Sequence, residues 1–385
     1  MPRPARILHL HSTFDHGGKE DRAVRLMNAM GSKVQHRIVS AVPGALGARK
    51  AIANNVKVDF PEDFPALAGR PGLGRYDRLA QAMKRHDLVL TYNWGAMDAV
   101  MAHTLFAGHH KLPMLVHHED GFNADEAVRL KRRRNWFRMI ALGRTHSLVV
   151  PSRRLESIAY TVWRQPSSRV HRIPNGIDVK AYARKPGSGA IPGLRKRKGE
   201  LIVGTLAGLR PVKNLPLLVR VIARSAHREQ IRLVIVGDGP EKEAIAAEAE
   251  QHGIADQLVM PGFLGRPERF VGLFDIFALT SDSEQFPISL VEAMAAGRPV
   301  VASDVGDVRS IVTEQNLPFL APARDEQALV EALDRLAGDA ALRAETGAAN
   351  MARAREDYDI GEMIARYGDI YNRASGRTLL PVNRG

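Results

Sequence analysis

The sequence contains no cysteine among its 385 residues. Disulfides, thiolate-ligated zinc sites and cysteine nucleophiles are therefore excluded, and the composition fits a reducing compartment. No apolar run approaches the ~18 residues that span a bilayer, so we expect the chain not to cross a membrane. The first ten residues contain neither an apolar signal-peptide core nor a small-residue cleavage site, which predicts a cytoplasmic protein.

The overall composition is that of a globular protein, with 45% hydrophobic and 25% charged residues, and the length suits two domains. The net charge of +13 is unevenly distributed. Residues 1–175 hold 28 Lys and Arg against 14 Asp and Glu, which is +14, and the remainder of the chain is at −1. We expect the first domain to face something anionic, namely nucleic acid, phospholipid headgroups or a phosphorylated substrate.

Short apolar strands alternate with helical segments, the pattern of doubly wound parallel sheets in α/β proteins. The predicted strands are 6–11, 33–41, 54–60, 87–92, 113–116, 147–151, 201–206, 231–236, 257–260, 274–280 and 299–302. Residues 170–178 close the first half, and residues 186–200, rich in Gly, Pro and basic side chains, indicate an exposed linker. The domain boundary is predicted near residue 178.

A loop and a helix over residues 281–297 carry most of the chemistry. Glu284 lies in the loop, Pro287 opens the helix, Glu292 lies on it and Gly297 ends it. The free amides at the helix start can hold a diphosphate, and carboxylates accept hydrogen bonds from hydroxyls. Two interpretations follow: the carboxylates grip a sugar and a ribose on either side of the diphosphate, or the helix is an ordinary amphipathic one.

The spacing of Glu284 and Glu292, with Gln-Phe-Pro after the first and Ala-Met-Ala-Ala-Gly after the second, resembles the signature of the retaining glycosyltransferases of family GT4. The resemblance implies the GT-B fold, in which two Rossmann-like domains face a central cleft. Residues 1–177 would bind the acceptor and residues 178–357 the nucleotide-sugar. Residues 358–385 would form a helix that returns to the first domain, and a tail.

By the same resemblance, the protein transfers a sugar with retention from a nucleotide-sugar, with UDP-sugars favoured, to a hydroxyl of a glycan or lipid-linked acceptor. No metal or other cofactor is implied. Lys213 matches the family lysine that stabilises the diphosphate. Gly208 stands where the family has its arginine, so either Arg210, two residues away, replaces it or that contact is missing. Glu284 would hold the sugar hydroxyls, or act as a nucleophile in a double displacement, and Glu292 the ribose. The other implied donor contacts are Gly17, Gly18, Gly208, Gly237, Gly262, Phe263, Leu264, Phe286, Pro287 and Ile288.

His117, His118 and Asp120 follow the predicted strand 113–116, at the strand end where ligands gather in open sheets. GT4 enzymes usually carry a single histidine here that reaches the transferred sugar, and the resemblance leaves open which of the three residues takes that role. The alternatives are an internal hydrogen-bonding cluster and a metal site that includes His109 and His110. Adjacent side chains point apart, which disfavours the metal site.

A helix predicted over residues 124–142 interleaves basic and aromatic side chains. These residues are Lys131, Arg132, Arg133, Arg134, Trp136 and Phe137. The helix would lie on the anionic inner face of the cytoplasmic membrane, or it is a solvated helix with its aromatic residues in the core. No nucleic-acid-binding module is recognisable. Three rival functions stay open. A sugar-nucleotide epimerase would epimerise the donor without an acceptor, and a pyridoxal phosphate-dependent phosphorylase would show cofactor absorbance. The intact Glu284 and Glu292 argue against the third, a non-catalytic nucleotide-sugar-binding protein on the membrane.

Overall fold

The computed structural model describes residues 3–15, 17–122, 126 and 130–382. The chain divides into two compact units. The first unit contains the chain up to Asn175 together with the segment from Gly361 onward, and the second unit is Gly176–Ile360. Each unit is built on one parallel β-sheet with helices, which confirms the predicted α/β class.

The described part of the first unit contains a seven-stranded sheet in the order β3-β2-β1-β4-β5-β6-β7, in which all neighbouring strands are parallel. The strands are β1 (Ala5–His11), β2 (Val34–Ser40), β3 (Lys57–Asp59), β4 (Leu88–Tyr92), β5 (Leu115–His118), β6 (Ser147–Val150) and β7 (Val170–Arg172). Their apolar residues are buried because helices cover the sheet.

The second unit contains a six-stranded parallel sheet in the order β10-β9-β8-β11-β12-β13. The strands are β8 (Leu201–Leu206), β9 (Ile231–Val236), β10 (Leu258–Gly262), β11 (Ile276–Leu279), β12 (Val300–Ser303) and β13 (Leu320–Ala321). Two apolar clusters, one on each face of this sheet, form its core.

Helices follow most of the strands. They are α1 (Gly18–Met30), α2 (Leu73–Met83), α3 (Met97–His110), α4 (Arg132–Ala141), α5 (Arg153–Thr161), α6 (Val179–Tyr182), α7 (Leu215–Arg224), α8 (Lys242–Gln251), α9 (Ile288–Ala295), α10 (Val308–Ile311), α11 (Glu326–Gly338), α12 (Ala340–Asp357) and α13 (Ile360–Ser375). Within the described ranges, none of them combines the length and the apolar character that a membrane span requires.

Two expectations from the sequence need correction. The strand predicted at 113–116 is β5 at Leu115–His118, so His117 and His118 lie inside the strand and are buried. The helix predicted from residue 124 begins at Arg132 as α4, and its residues 124–125 and 127–129 lie outside the described residues. Helix α12 was not predicted, because its alanine-rich sequence buries few large apolar side chains and has a weak helical periodicity.

The strand order of each sheet reverses at one place, between β1 and β4 in the first unit and between β8 and β11 in the second. Ligands of open parallel sheets bind at the carboxyl ends of the strands beside such a reversal. In the first unit, a Cβ added to Gly95 after β4 would lie 2.5 Å from the Cβ of Ser12 after β1. In the second, Thr280 Oγ1 after β11 donates to the Asn214 carbonyl at 3.0 Å. The exit loops therefore contact each other within each unit.

Histidines and a tyrosine fill one face of the first sheet. His11, Tyr92 and His118 lie in register across β1, β4 and β5, with ring centroids 3.9 Å and 4.6 Å apart. His9 lies two positions before His11 on the same face of β1. Its Nε2 contacts His36 Nδ1 at 2.9 Å, and its Nδ1 contacts the Tyr92 hydroxyl at 3.2 Å. All five side chains are buried.

The C-terminal helix α13 contributes to the core of the first unit. The Tyr371 hydroxyl contacts His118 Nε2 at 2.8 Å, and the Arg22 guanidinium of α1 lies 5.7 Å from the centre of the Tyr367 ring. Arg22 also donates two hydrogen bonds to the Asp120 carboxylate. The last part of the described chain is therefore needed to cover the histidine face.

Burial lowers the pKa of these imidazoles, because a charged ring loses its hydration in the core. It lowers the pKa of His36 to about 4. Burial, followed by the nearby Arg22 cation, lowers the pKa of His118 to about 3. The pKa values of His9 and His11 are also well below the usual range, first through burial and then through neighbouring histidines. The histidine face is therefore neutral at pH 7.

We expect the first unit to lose stability as the pH falls from about 6.5 to about 4. In the unfolded chain the His36 imidazole binds a proton near pH 6.5, whereas in the folded protein it does so only near its pKa of about 4. Acid therefore favours the unfolded state. Between pH 7.5 and 5.0, the free energy of unfolding of the His36→Asn variant should fall by about 2 kcal/mol less than that of the unsubstituted protein. Urea titrations followed by tryptophan fluorescence measure this, because Trp94, Trp136 and Trp163 all lie in the first unit.

The matched control is His109→Asn, because His109 is exposed near the end of α3. This variant should keep the acid sensitivity of the unsubstituted protein. Equal losses in both variants would contradict the role of His36.

Candidate active site

A lysine and a glutamate are paired at the strand reversal of the second unit. Lys213 Nζ, in the loop after β8, lies 2.5 Å from Glu284 Oε1, in the loop after β11. Ser281 Oγ donates to the same carboxylate oxygen at 2.7 Å. The side chains of Lys213 and Glu284 are 18% and 9% exposed. The pairing offsets the loss of hydration of each charge, so both side chains have a defined position without a ligand.

Backbone and side-chain contacts hold these two loops together. The Asp282 amide donates to the Val212 carbonyl at 2.9 Å, and Asn214 Nδ2 donates to Asp282 Oδ1 at 3.0 Å. Arg324 donates to both oxygens of the same carboxylate at 3.0 Å and 2.7 Å. Asn214 adopts the left-handed conformation, with φ of 47°, and turns the chain directly into α7. Lys213 is thereby fixed opposite Glu284.

Arg210 lies beside the glycine that occupies the position of the family arginine. A Cβ on Gly208 would lie 3.6 Å from Arg210 Nε, and both residues are exposed. The Lys213 amide donates to the Arg210 carbonyl at 2.9 Å, so Arg210 and Lys213 share one tight turn. Arg210 forms no ion pair within the described chain. The loop therefore presents an unpaired guanidinium close to Gly208, the position at which the resemblance to GT4 enzymes implies an arginine.

The loops after β8, β9 and β10 also contact one another. Gly237 has φ of 148°, and a Cβ there would lie 1.8 Å from the Ala207 carbonyl oxygen, so only glycine allows this approach. The Gly237 amide donates to the Gly262 carbonyl at 3.0 Å. Phe263, the next residue, is 78% exposed, whereas Leu264 packs against the core. An aromatic face is therefore open at this edge of the sheet.

The start of α9 follows Glu284 directly. Pro287 is buried at the helix cap, and Ile288, the first helical residue, packs against the core. The Phe286 ring meets the Tyr358 ring edge to face, with centroids 5.8 Å apart. The first amides of a helix have no carbonyl partners within the helix, which makes this end suited to an anion. The predicted loop-helix arrangement of residues 281–297 is thus present.

Glu292, in the second turn of α9, is held by a tyrosine that the sequence did not indicate. The Tyr182 hydroxyl donates to Glu292 Oε1 at 2.9 Å. Tyr182 ends the short helix α6, whose first turn is capped by Asp178. Glu292 is half-buried and Tyr182 is buried. The two residues are 110 positions apart in the sequence, so no local pattern predicted their contact.

The glycine pair of the first unit lies at the start of α1. Gly17 precedes the helix and Gly18 is its first residue. A Cβ on Gly17 would lie 2.8 Å from Glu20 Oε2, and Glu20 accepts hydrogen bonds from Lys19 Nζ and Thr13 Oγ1. A carboxylate therefore lies in front of this helix end, neutralised by its neighbour. Any phosphate that binds here has to accommodate both charges.

The three candidate residues of β5 and its exit are engaged inside the first unit. His118 uses both ring nitrogens, with the Thr91 carbonyl at 3.1 Å and with Tyr371. His117 Nδ1 contacts Thr91 Oγ1 at 2.8 Å, whereas its Nε2 has no hydrogen-bond partner in the part of the chain that is described. Asp120 is bound by Arg22, which lowers the carboxyl pKa although burial alone would raise it. These contacts are those of an internal hydrogen-bonding cluster.

The basic and aromatic side chains of the predicted membrane helix divide between two faces of α4. Trp136 is 65% exposed, together with Lys131, Arg132 and Arg133. Phe137 turns inward onto Trp94, and Arg134 donates to Glu126 at 2.9 Å. Trp136 lines a groove of about 440 Å³ with Arg132, Asn135, Met139, Val162 and Arg164. The outer face therefore combines cations with an exposed indole.

No group of three or more histidine, aspartate or glutamate side chains within the described ranges is arranged to hold a metal ion. His109 and His110 lie at the end of α3, whereas His117 and His118 lie within β5.

Two family models match successive parts of the chain. The model described as Glycosyltransferase Family 4 matches residues 16–181, and the model described as Glycosyl transferases group 1 matches residues 190–353. The putative glycosyltransferase EpsF of Bacillus subtilis (strain 168) is 28% identical over 326 residues, which cover 78% of this chain and 79% of that protein. The O-antigen chain mannosyltransferase C of Escherichia coli is 28% identical over 159 residues, or 40% of this chain and 42% of that protein.

The fold is also similar to that of solved structures. The structure of Anabaena HepE in complex with UDP has a TM-score of 0.79 with 19% identity, covering 96% of this chain and 100% of that one. This similarity shows the GT-B fold, and the two family models, which together match residues 16–181 and 190–353, show that the protein belongs to the GT4-type glycosyltransferases.

Proposed function

We propose that the protein transfers a sugar from a UDP-sugar, with retention of anomeric configuration and without a metal ion, to a hydroxyl of a glycan or lipid-linked acceptor. The observation that carries this proposal is the Lys213–Glu284 pair at the strand reversal of the second unit. The complex of HepE with UDP supports a uridine donor. The relation to EpsF and to an O-antigen mannosyltransferase supports a role in polysaccharide or glycolipid synthesis.

The diphosphate of the donor would rest between Lys213, Arg210 and the start of α9. As the bond between the anomeric carbon and the phosphate oxygen breaks, negative charge grows on the diphosphate, and preorganised cations stabilise it. The departing phosphate oxygen accepts the proton of the acceptor hydroxyl, whose oxygen forms the new glycosidic bond. Two cations and a helix end supply the charge that a metal would otherwise provide.

Donor binding would exchange one partner of Lys213 for another. In the structure Lys213 neutralises Glu284. A diphosphate carries more negative charge than one carboxylate and attracts the ammonium group towards it. Glu284 then accepts hydrogen bonds from the sugar hydroxyls, with Ser281 as its remaining partner. Glu292, held by Tyr182, would bind the ribose, and the exposed Phe263 ring would stack on the base.

Binding of UDP should raise the melting temperature, because a ligand that binds only the folded state stabilises it by mass action. At a UDP concentration 100 times Kd we expect a rise of about 5 °C or more. Thermal unfolding with UDP, GDP and ADP, each with magnesium or with EDTA, measures both parts of the proposal. A uridine response that requires magnesium would contradict the metal-free mechanism. No response to any nucleotide would contradict a nucleotide-sugar donor.

The Tyr182→Phe variant should weaken UDP binding about three- to tenfold with little change in kcat. It removes one partly buried hydrogen bond to Glu292, worth roughly 0.5–1.5 kcal/mol, while leaving the ring in place. Calorimetric titration with UDP and steady-state kinetics measure the two quantities. Tyr160→Phe is the matched control, because its hydroxyl donates to Glu156 on the surface of the first unit. A fall in kcat with unchanged UDP affinity would contradict the ribose role.

The Glu284→Gln variant should affect kcat rather than UDP affinity. We expect kcat to fall by about a hundredfold or more, because the carboxylate acts on the reacting sugar, and UDP affinity to stay within about threefold. Glu292→Gln should instead weaken UDP binding, because the ribose is shared by UDP and the donor. Equal losses of affinity in both variants would refute this assignment. Titration with UDP alone separates binding from turnover.

The outer face of α4 supports the proposed contact with an anionic membrane. An indole buried at the interface contributes roughly 1.5–3 kcal/mol, so Trp136→Ala should weaken vesicle binding about tenfold or more. Co-sedimentation with vesicles of phosphatidylcholine and phosphatidylglycerol measures this, and Leu73→Ala, which removes another exposed apolar side chain, is the control. Equal binding to vesicles of phosphatidylcholine alone would contradict the electrostatic part of the proposal.

A further inference from the structure

A second basic site lies in the first unit, towards the amino-terminal ends of β1, β2 and β4. A cavity of about 220 Å³ is lined by Arg6, Gln35, Arg37, Arg85 and His86, which we call the arginine pocket. Arg6 lies in β1, Gln35 and Arg37 lie in β2, and the other two residues precede β4. Because the strands are parallel, this end of the sheet is remote from the carboxyl ends, where ligands of open sheets bind. The pocket is therefore separate from the carboxyl ends of the strands in this sheet.

The strand register brings the side chains of the pocket together. Arg6 of β1 pairs with Gln35 of β2 in the parallel register. Side chains alternate across a strand, so Gln35 and Arg37 share one face of β2. Arg6, Gln35 and Arg37 are exposed, whereas their neighbours in the strands, Ile7 and His36, are buried. The convergence of their polar ends follows from the backbone and does not depend on a single rotamer.

The pocket has more positive than negative charge. Within the described residues, Arg6 and Arg85 form no ion pair, and their guanidinium groups are exposed. Arg37 is paired with Asp59, with Nε at 2.7 Å from Oδ2. The three arginines and one carboxylate leave about two positive charges without a counter-ion. Like charges at this spacing repel one another, and an anion between them removes that repulsion.

The positive charge of the pocket affects the pKa of His86. Its Nδ1 lies 3.2 Å from the Met83 carbonyl oxygen. Burial lowers the pKa of His86 most, and the hydrogen bond to the Met83 carbonyl opposes it. The cations of Arg37 and Arg6 lower the pKa further, and Asp87 opposes them with a smaller effect. The Asp87 carboxylate is itself bound by Arg3. The His86 imidazole therefore lies near two guanidinium groups, of which Arg37 is paired with Asp59 and Arg6 forms no ion pair within the described residues.

We propose that the arginine pocket binds a phosphate monoester or phosphodiester group of a molecule other than the sugar donor. Guanidinium groups bind phosphate oxygens through paired hydrogen bonds, and the Gln35 amide supplies a neutral donor beside them. The cavity holds one phosphate group with part of its substituent. The +14 charge of residues 1–175 attracts such an anion towards this unit. The proposal does not depend on the function of the second unit.

The first experiment follows the His86 ring by NMR during titration with glycerol 3-phosphate. The bound anion stabilises the imidazolium form, so the pKa of His86 should rise on saturation. The double variant Arg6→Gln and Arg85→Gln should weaken binding roughly tenfold or more. The matched control, Arg25→Gln with Arg70→Gln, removes two exposed arginines elsewhere in the unit and should bind as the unsubstituted protein does. Equal binding by the two double variants, or an unchanged pKa of His86 at saturation, would overturn the proposal.

A second arm distinguishes a soluble phosphate ester from a lipid headgroup. Vesicles of phosphatidylcholine with and without phosphatidylglycerol are sedimented with the same two double variants. A response of His86 to glycerol 3-phosphate, with equal sedimentation of both variants, supports a soluble ligand. A loss of sedimentation only in the pocket variant supports a phospholipid headgroup. No response of His86 to either probe would overturn the site.

Discussion

Both sheets are entirely parallel in their described strands, and this constraint determines where the chemistry lies. Parallel strands end at one edge, so residues that are far apart in sequence meet there wherever the strand order reverses. Lys213 and Glu284 are 71 positions apart and touch for this reason. The exit loops need close backbone approaches to reach each other, and the glycines at 95 and 237 provide them. The same constraint leaves the amino-terminal ends of β1, β2 and β4 free for the arginine pocket.

Both units keep a lysine and a glutamate paired beside a strand reversal. Lys213 pairs with Glu284 in the second unit, and Lys19 pairs with Glu20 in the first. A half-buried charge without a partner would be costly, because it loses hydration and gains no opposite charge. Pairing therefore lets a polar site keep its geometry before any ligand arrives. A phosphate that approaches either site competes with a carboxylate for the lysine, which favours ligands of higher charge.

The alternation of strands and helices and the residues around Glu284 and Glu292 were enough to predict the α/β class and the family. The family and fold predictions are confirmed, whereas the roles of individual site residues stay predictions. The sequence pattern predicts a strand that begins at Pro113, whereas β5 begins at Leu115, so His117 and His118 lie inside the strand and are buried. Contacts such as Tyr182 with Glu292, or His118 with Tyr371, join distant segments through tertiary packing. No local periodicity carries that information.

The participation of α13 in the first unit has a consequence for the order of folding. The second unit is continuous in sequence, whereas the first is completed only when the segment from Gly361 has been synthesised. Until then His118 lacks its contact with Tyr371. Domains fold as units during synthesis once their residues are available. The half that is made first on the ribosome is therefore the half that is finished last.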